Sequence, residues 1–134
     1  MEIRDRISGI VIKDGKLLML THENGPHSLL WTPGGGVEKG ENDLECLKRE
    51  LKEELDVELV SQRFLIELLA HSPMFSDFSR NKIYLVEIKG KIKIEKGLKG
   101  VWCNLEDYKK GKYKMIPVTQ ENVVKYLVDN HIWK

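Results

Sequence analysis

Arg49, Glu50, Glu53 and Glu54 stand within six consecutive residues, behind the stretch Pro33-Gly34-Gly35-Gly36 and a lone Glu41. If Asn42 to Glu54 is helical, Glu50, Glu53 and Glu54 fall within an arc of roughly 100°, and Leu44, Leu47, Leu51 and Leu55 share the neighbouring arc. One arc packs and the next is free to hold a ligand. Three carboxylates on one helical turn repel each other, and a divalent cation that takes oxygen ligands relieves that repulsion. With 21 Asp and Glu among 134 residues, however, an acidic helix face is on its own most simply a solvated surface.

Spacing gives the cluster its meaning. Gly35, Glu41, Arg49, Glu50, Leu51, Glu53, Glu54 and Val57 stand in one fixed register, and the segment Gly35 to Val57 resembles the Nudix box, a loop-helix motif. The single departure is Asp56, where the box has glycine. That position lies just past the helix end, where a left-handed backbone is common, and Asp is among the residues that tolerate it. A small stability cost with intact chemistry is expected.

The resemblance implies a fold, a reaction and a set of roles. Nudix proteins are α/β/α sandwiches around a mixed β-sheet, and they hydrolyse a nucleoside diphosphate linked to another moiety by water attack on phosphorus. Carried over by position, Glu50, Glu53 and Glu54 are the metal-binding acids, with the backbone carbonyl of Gly34 as a further ligand and Mg2+, or alternatively Mn2+, as the ion. Glu50, Glu53 and Arg49 are also the catalytic candidates, Glu50 as the group that orients water. Arg49 orients the glutamates, Glu53 in particular at i,i+4. Glu41, Gly35 and Gly36 support the loop, the glycines because turn conformations and close backbone approach exclude a side chain.

Substrate cues divide. Ser72-Pro73-Met74-Phe75-Ser76-Asp77 resembles a stretch of ADP-ribose pyrophosphatases, with Met74 and Phe78 departing from it, and Phe75 and Arg80 become the substrate-binding candidates. Trp31-Thr32-Pro33-Gly34-Gly35-Gly36 instead looks like the segment of nucleoside-triphosphate enzymes. A nucleotide-binding sensor without turnover is the rival reading. Such modules commonly lose a box glutamate, and here all three are present.

The elements that must position these residues can be read in outline. Ile7 to Lys13 and Lys16 to Thr21 are strand-like and joined by Asp14-Gly15, a hairpin signal. Asn42 caps the acidic helix, with Glu45 completing a capping box. Leu59 to Leu69, Lys82 to Ile88 and Val101 to Cys103 read as strands, and Lys91 to Ile94 alternates like a sheet edge. Thr119 caps a final helix carrying Val123, Val124, Leu127 and Val128 at helical spacing.

Composition bounds the rest. The length of 134 residues and 41% apolar content suit one domain spanning the whole chain. A net charge of +1 advertises neither nucleic acid nor an anionic membrane, so the expected partner is a small nucleotide. The charged start Met1-Glu2-Ile3-Arg4-Asp5-Arg6 lacks a signal core, and a cytoplasmic protein is expected. Oligomeric state is left open, a homodimer included. Cys46 and Cys103 read as reduced thiols, Cys46 as small filler beside the glutamates, and the four histidines show no ligand spacing.

Overall fold

A computed structural model describes residues 3–24, 29–72, 77–115 and 118–134. The amino-terminal apolar run divides between two sheets. Strand β1 (Ile3–Ile10) joins one of them, and after Val11 the short β2 (Ile12–Lys13) turns into the other and pairs with β3 (Lys16–His22). The segment read as one strand from Ile7 to Lys13 is therefore broken at Val11, whose carbonyl accepts from the Leu18 amide at 2.9 Å. The hairpin itself forms at Asp14-Gly15, both left-handed at φ 53° and 76°, as a two-residue primed turn requires.

Strand β4 (Gly34–Gly36) precedes helix α1 (Asp43–Leu55), and the long strands β5 (Glu58–Ser72) and β6 (Asp77–Lys89) follow. Strand β7 (Leu98–Asn104), the short helix α2 (Leu105–Lys109) and helix α3 (Val118–Asp129) complete the order. The larger sheet runs β4-β1-β6-β5, with β1 and β6 parallel and the other pairs antiparallel; the smaller runs β2-β3-β7. This is the mixed-sheet sandwich that the motif implied.

Strand β3 explains why both faces are covered. Leu17 and Met19 face a cluster with Val123, Val124 and Leu127 of α3, while Leu18 and Leu20 face Cys46, Leu47, Leu51 and Leu55 of α1. A strand buried on two faces reads as a continuous apolar run, as Leu17-Leu18-Met19-Leu20 does. Of the four leucines read on one arc of α1, Leu44 stays exposed at 38%, because it lies in the first turn and outside that cluster.

Three further expectations change. The glycine triplet is a short edge strand rather than a turn, paired to β1 with Ile7 opposite Gly35. Lys91 to Ile94 lies in no strand; its alternation arises because Ile92 and Ile94 pack against the α1 core while the Lys93 amide donates to the Leu55 carbonyl at 2.9 Å. That bond, with one from the Glu95 amide to the Glu54 carbonyl at 2.9 Å, satisfies carbonyls at the helix end in place of a sheet partner. Helix α3 begins at Val118, so Thr119 lies within the first turn and not at the cap. Helix α2, capped by the Asn104 side chain, has no apolar periodicity to announce it.

Candidate active site

Helix α1 is fixed at both ends by local chemistry. At its start the Asn42 side chain accepts from the Glu45 amide at 2.8 Å while the Glu45 carboxylate accepts from the Asn42 amide at 3.1 Å. At its end Asp56 takes the left-handed conformation, φ 55° and ψ 42°, and its amide donates to the Lys52 carbonyl. An exposed Lys52–Asp56 pair at 2.9 Å accompanies the turn.

Between these ends the helix lies against the glycine strand. Gly34 has φ 143°, and a Cβ there would run into the Ile7 carbonyl, so only glycine fits. A Cβ on Gly35 would displace the Glu50 carboxylate, which therefore rests directly on that backbone. The Gly34 amide donates to Glu54 Oε1 at 2.7 Å. Two of the three box glutamates thus touch the same short strand.

Their environments differ. Glu54 is only 7% exposed, and burial, with the charges of Glu50 and Glu95 added, pushes its carboxyl up to about 8 against the Gly34 hydrogen bond. Glu50 is also raised by burial, with Arg49 opposing. Glu53 is half exposed and meets Arg49 Nη1 at 3.3 Å.

Arg49 holds the loop more than the helix. Its Nε and Nη2 donate to the two oxygens of Glu41 at 2.7 and 3.0 Å, and Nη2 also donates to the Gly36 carbonyl at 3.1 Å. Nη1 donates to Glu50 at 2.9 Å. The Arg49 fork holds the Glu41 carboxyl down at about 2, helped by the Glu38 amide. The contact with Glu53 expected at i,i+4 exists, but the paired bonds to Glu41 are shorter.

The donor set fits a hard divalent cation. Glu50, Glu53, Glu54 and the Gly34 carbonyl offer oxygen alone, and the buried Glu54 has no cation within ion-pair distance among the described residues. Among those residues no three His, Cys, Asp or Glu side chains already converge as a cage. Arg49 meets one oxygen each of Glu50 and Glu53, and the Gly34 amide meets one of Glu54, so each carboxylate keeps a second oxygen outside these bonds. Cys46 is fully buried, with Sγ 3.6 Å from the Gly36 carbonyl, and burial pushes its thiol up to about 12. It remains protonated and is filler, not nucleophile.

A NUDIX domain model matches residues 3–126 of this sequence. The chain belongs to the Nudix family. An 8-oxo-dGTP diphosphatase of Buchnera aphidicola subsp. Schizaphis graminum is 31% identical over 114 residues, covering 81% of this chain and 83% of that protein. A solved MutT structure, from work on Aliivibrio salmonicida and Vibrio cholerae, superposes with a TM-score of 0.78 at 21% identity, over 96% of this chain and 99% of that one. A Nudix hydrolase from Nitrosomonas europaea gives 0.79 at 13% identity, over 96% and 90%. At such identities the solved structures establish the Nudix fold alone.

As a Nudix hydrolase, the chain brings Glu41, Arg49, Glu50, Glu53, Glu54 and the three glycines together. Arg80 lies apart: it stands on the α1 side of the sheet, 3.7 Å from Asp5, and makes no ion pair with a box glutamate among the described residues. Phe75 falls outside the described residues.

Other groups were not found by sequence reading. The Thr32 amide and hydroxyl both donate to Gln120 Oε1, at 2.9 and 2.8 Å, tying the approach to the glycine strand to α3 across the core. A signal existed, since Gln120 shares the helical face of Val123, Val124 and Leu127, an apolar stripe in which a polar residue is out of place. Among the described residues no helix is long and apolar enough to cross a membrane.

Proposed function

We propose that this chain is a divalent-cation-dependent pyrophosphohydrolase of nucleoside triphosphates that releases a nucleoside monophosphate and pyrophosphate. The observation that carries the reading is the oxygen-only edge: a buried carboxylate on the Gly34 amide and a second on Gly35, with a third beside them on α1. The relative named 8-oxo-dGTP diphosphatase favours the triphosphate over the ADP-ribose reading and puts oxidised purines in the first test panel.

Glu50, Glu53, Glu54 and the Gly34 carbonyl are the groups that would hold Mg2+ or Mn2+. When bound, such an ion neutralises phosphate charge and lowers the pKa of a coordinated water. Glu50, which rests on Gly35 with Arg49 at one oxygen, would orient the attacking water and accept its proton. Arg49 acts as a positioning residue, since its donors are already taken up by protein oxygens. Glu41 fixes Arg49 and the loop amide of Glu38 at once.

Phosphorus NMR of a panel of canonical and 8-oxo triphosphates, ADP-ribose and dinucleoside polyphosphates, with Mg2+ and with EDTA, tests this. Expected is cation-dependent release of pyrophosphate from triphosphates with solvent oxygen on phosphorus. Preference for ADP-ribose would overturn the substrate class. Tight nucleotide binding without any turnover would instead establish the sensor reading.

A further inference from the structure

Hydrolysis of a triphosphate needs a cation to hold phosphate oxygens, and most basic groups near the acids are taken. Arg49 is surrounded by Glu38, Glu41, Glu50 and Glu53. Lys82 pairs with Asp43 at 2.8 Å, and Arg80 stands beside Asp5, both on the α1 side. Arg6 is different.

Arg6 lies in β1, opposite Gly36 in the antiparallel ladder and opposite Asn81 in the parallel one. Its α1-side neighbour Ile7 pairs with Gly35, against which the Glu50 carboxylate rests. Strand alternation puts Arg6 on the other face, with Ser8 and with Ile10, which packs in the α3 cluster. The strand next to Arg6 on that side is the edge strand β4, which presents no side chain between the two faces. Ser8 and Asn81 beside it are buried polar groups, at 6% and 4% exposure. Arg6 itself is exposed and has no acid within ion-pair distance among the described residues. Its charge nonetheless reaches Glu50 and Glu54, lowering both against the effect of burial.

We propose that Arg6 binds a phosphate of the nucleoside triphosphate across the Gly34–Gly36 edge, from the sheet face opposite the carboxylates. Guanidinium suits this role, because its fixed fork matches two phosphate oxygens. The inference rests on the triphosphate reading above and deepens it, adding a second wall to the phosphate site.

The test compares wild type with Arg6→Gln and Arg6→Lys in steady-state kinetics and in equilibrium titration. The titrants are an α,β-methylene triphosphate and the corresponding nucleoside, each with Mg2+ and with EDTA. Loss of a charged hydrogen bond should raise KM and Kd for the triphosphate by about tenfold or more, with Lys recovering part. Nucleoside affinity and the melting temperature should not move. A triphosphate Kd within about twofold of wild type in Arg6→Gln, well below the loss expected of such a contact, overturns the inference alone. So does a nucleoside weakened as much as the triphosphate, which would mean a fault in the fold or base pocket. A wild type that neither binds nor hydrolyses triphosphates overturns the functional reading and this inference together.

Discussion

The two ends of helix α1 handle the same chemical group in opposite ways. Near the amino-terminal end, Glu41 is met by two arginine nitrogens and a backbone amide, and its carboxyl is held down at about 2. At the carboxyl-terminal end, Glu54 is buried against one amide, with no cation in ion-pair range among the described residues, and is pushed up to about 8. The first arrangement is complete within the protein, and its oxygens have little left to offer. The second is unfinished, because a buried carboxylate costs free energy until something positive arrives. Glu50 and Glu53 lie between these extremes, since both share Arg49 with Glu41, and Glu54 alone of the box acids draws no countercharge from the described residues.

The largest effect should come from breaking the unfinished end. Glu54→Gln keeps the oxygen that accepts from Gly34 but removes the charge, so kcat should fall on the order of a hundredfold or more. Melting in EDTA should stay level or rise, since a carboxyl whose ionisation burial disfavours gives way to a neutral amide, and the Mg2+-induced shift in Tm should vanish. Loss of melting temperature together with activity would show Glu54 to be structural.

Breaking the complete end should act mainly on stability. Arg49→Ala removes the guanidinium donor of Glu41 and Glu50, leaving Glu41 only the Glu38 amide, and should cost about 1–3 kcal/mol, read by urea unfolding. Activity should fall less than with Glu54→Gln, about tenfold, because Glu50 stays on Gly35 but is less well oriented. A larger kinetic loss than that of Glu54→Gln would give Arg49 a direct role in the reaction.

A smaller effect should appear in acid. The folded Glu41 carboxyl sits at about 2 against an ordinary 4.5, so its stabilisation is present above 4.5 and is lost as pH falls toward 2. Glu41→Gln should flatten that part of the stability profile, measured as Tm against pH. An unchanged acid limb would mean that Arg49 does not hold Glu41 in solution.

The smallest belongs to Asp56. Glycine would enter the left-handed conformation more freely but would lose the exposed pair with Lys52, so Asp56→Gly should raise Tm only slightly with kcat unchanged. Asp56→Asn separates the two contributions, since it keeps the tolerance for positive φ and removes the charge.

How much was legible in the sequence follows the range of each interaction. The capping box of Asn42 and Glu45, the left-handed Asp56 and the Asp14-Gly15 turn depend on neighbours within four residues, and all could be read. The mixed sheet came from the resemblance, not from alternation. What escaped depends on distant partners. Gly34–Gly36 becomes a strand only because β1 lies beside it, and Ile92 and Ile94 alternate against a helix instead of a sheet. Arg6 gains its interest from a pairing with Gly36, and Gln120 from one with Thr32, neither visible along the chain.

The parallel ladder between β1 and β6 carries a consequence for the order of folding. It joins Ile3 to Phe78 and Ile10 to Leu85, whereas β5 and β6 meet through a short connection and α1 closes on its own turns. Long loops close late, because their entropy is lost before their contacts form. Yet the glycine strand against which Glu50 and Glu54 of α1 rest is held in place by β1. In refolding, helix signal and the β5–β6 hairpin should therefore return ahead of activity, and the cluster of glycines and carboxylates should close with the last strand to arrive.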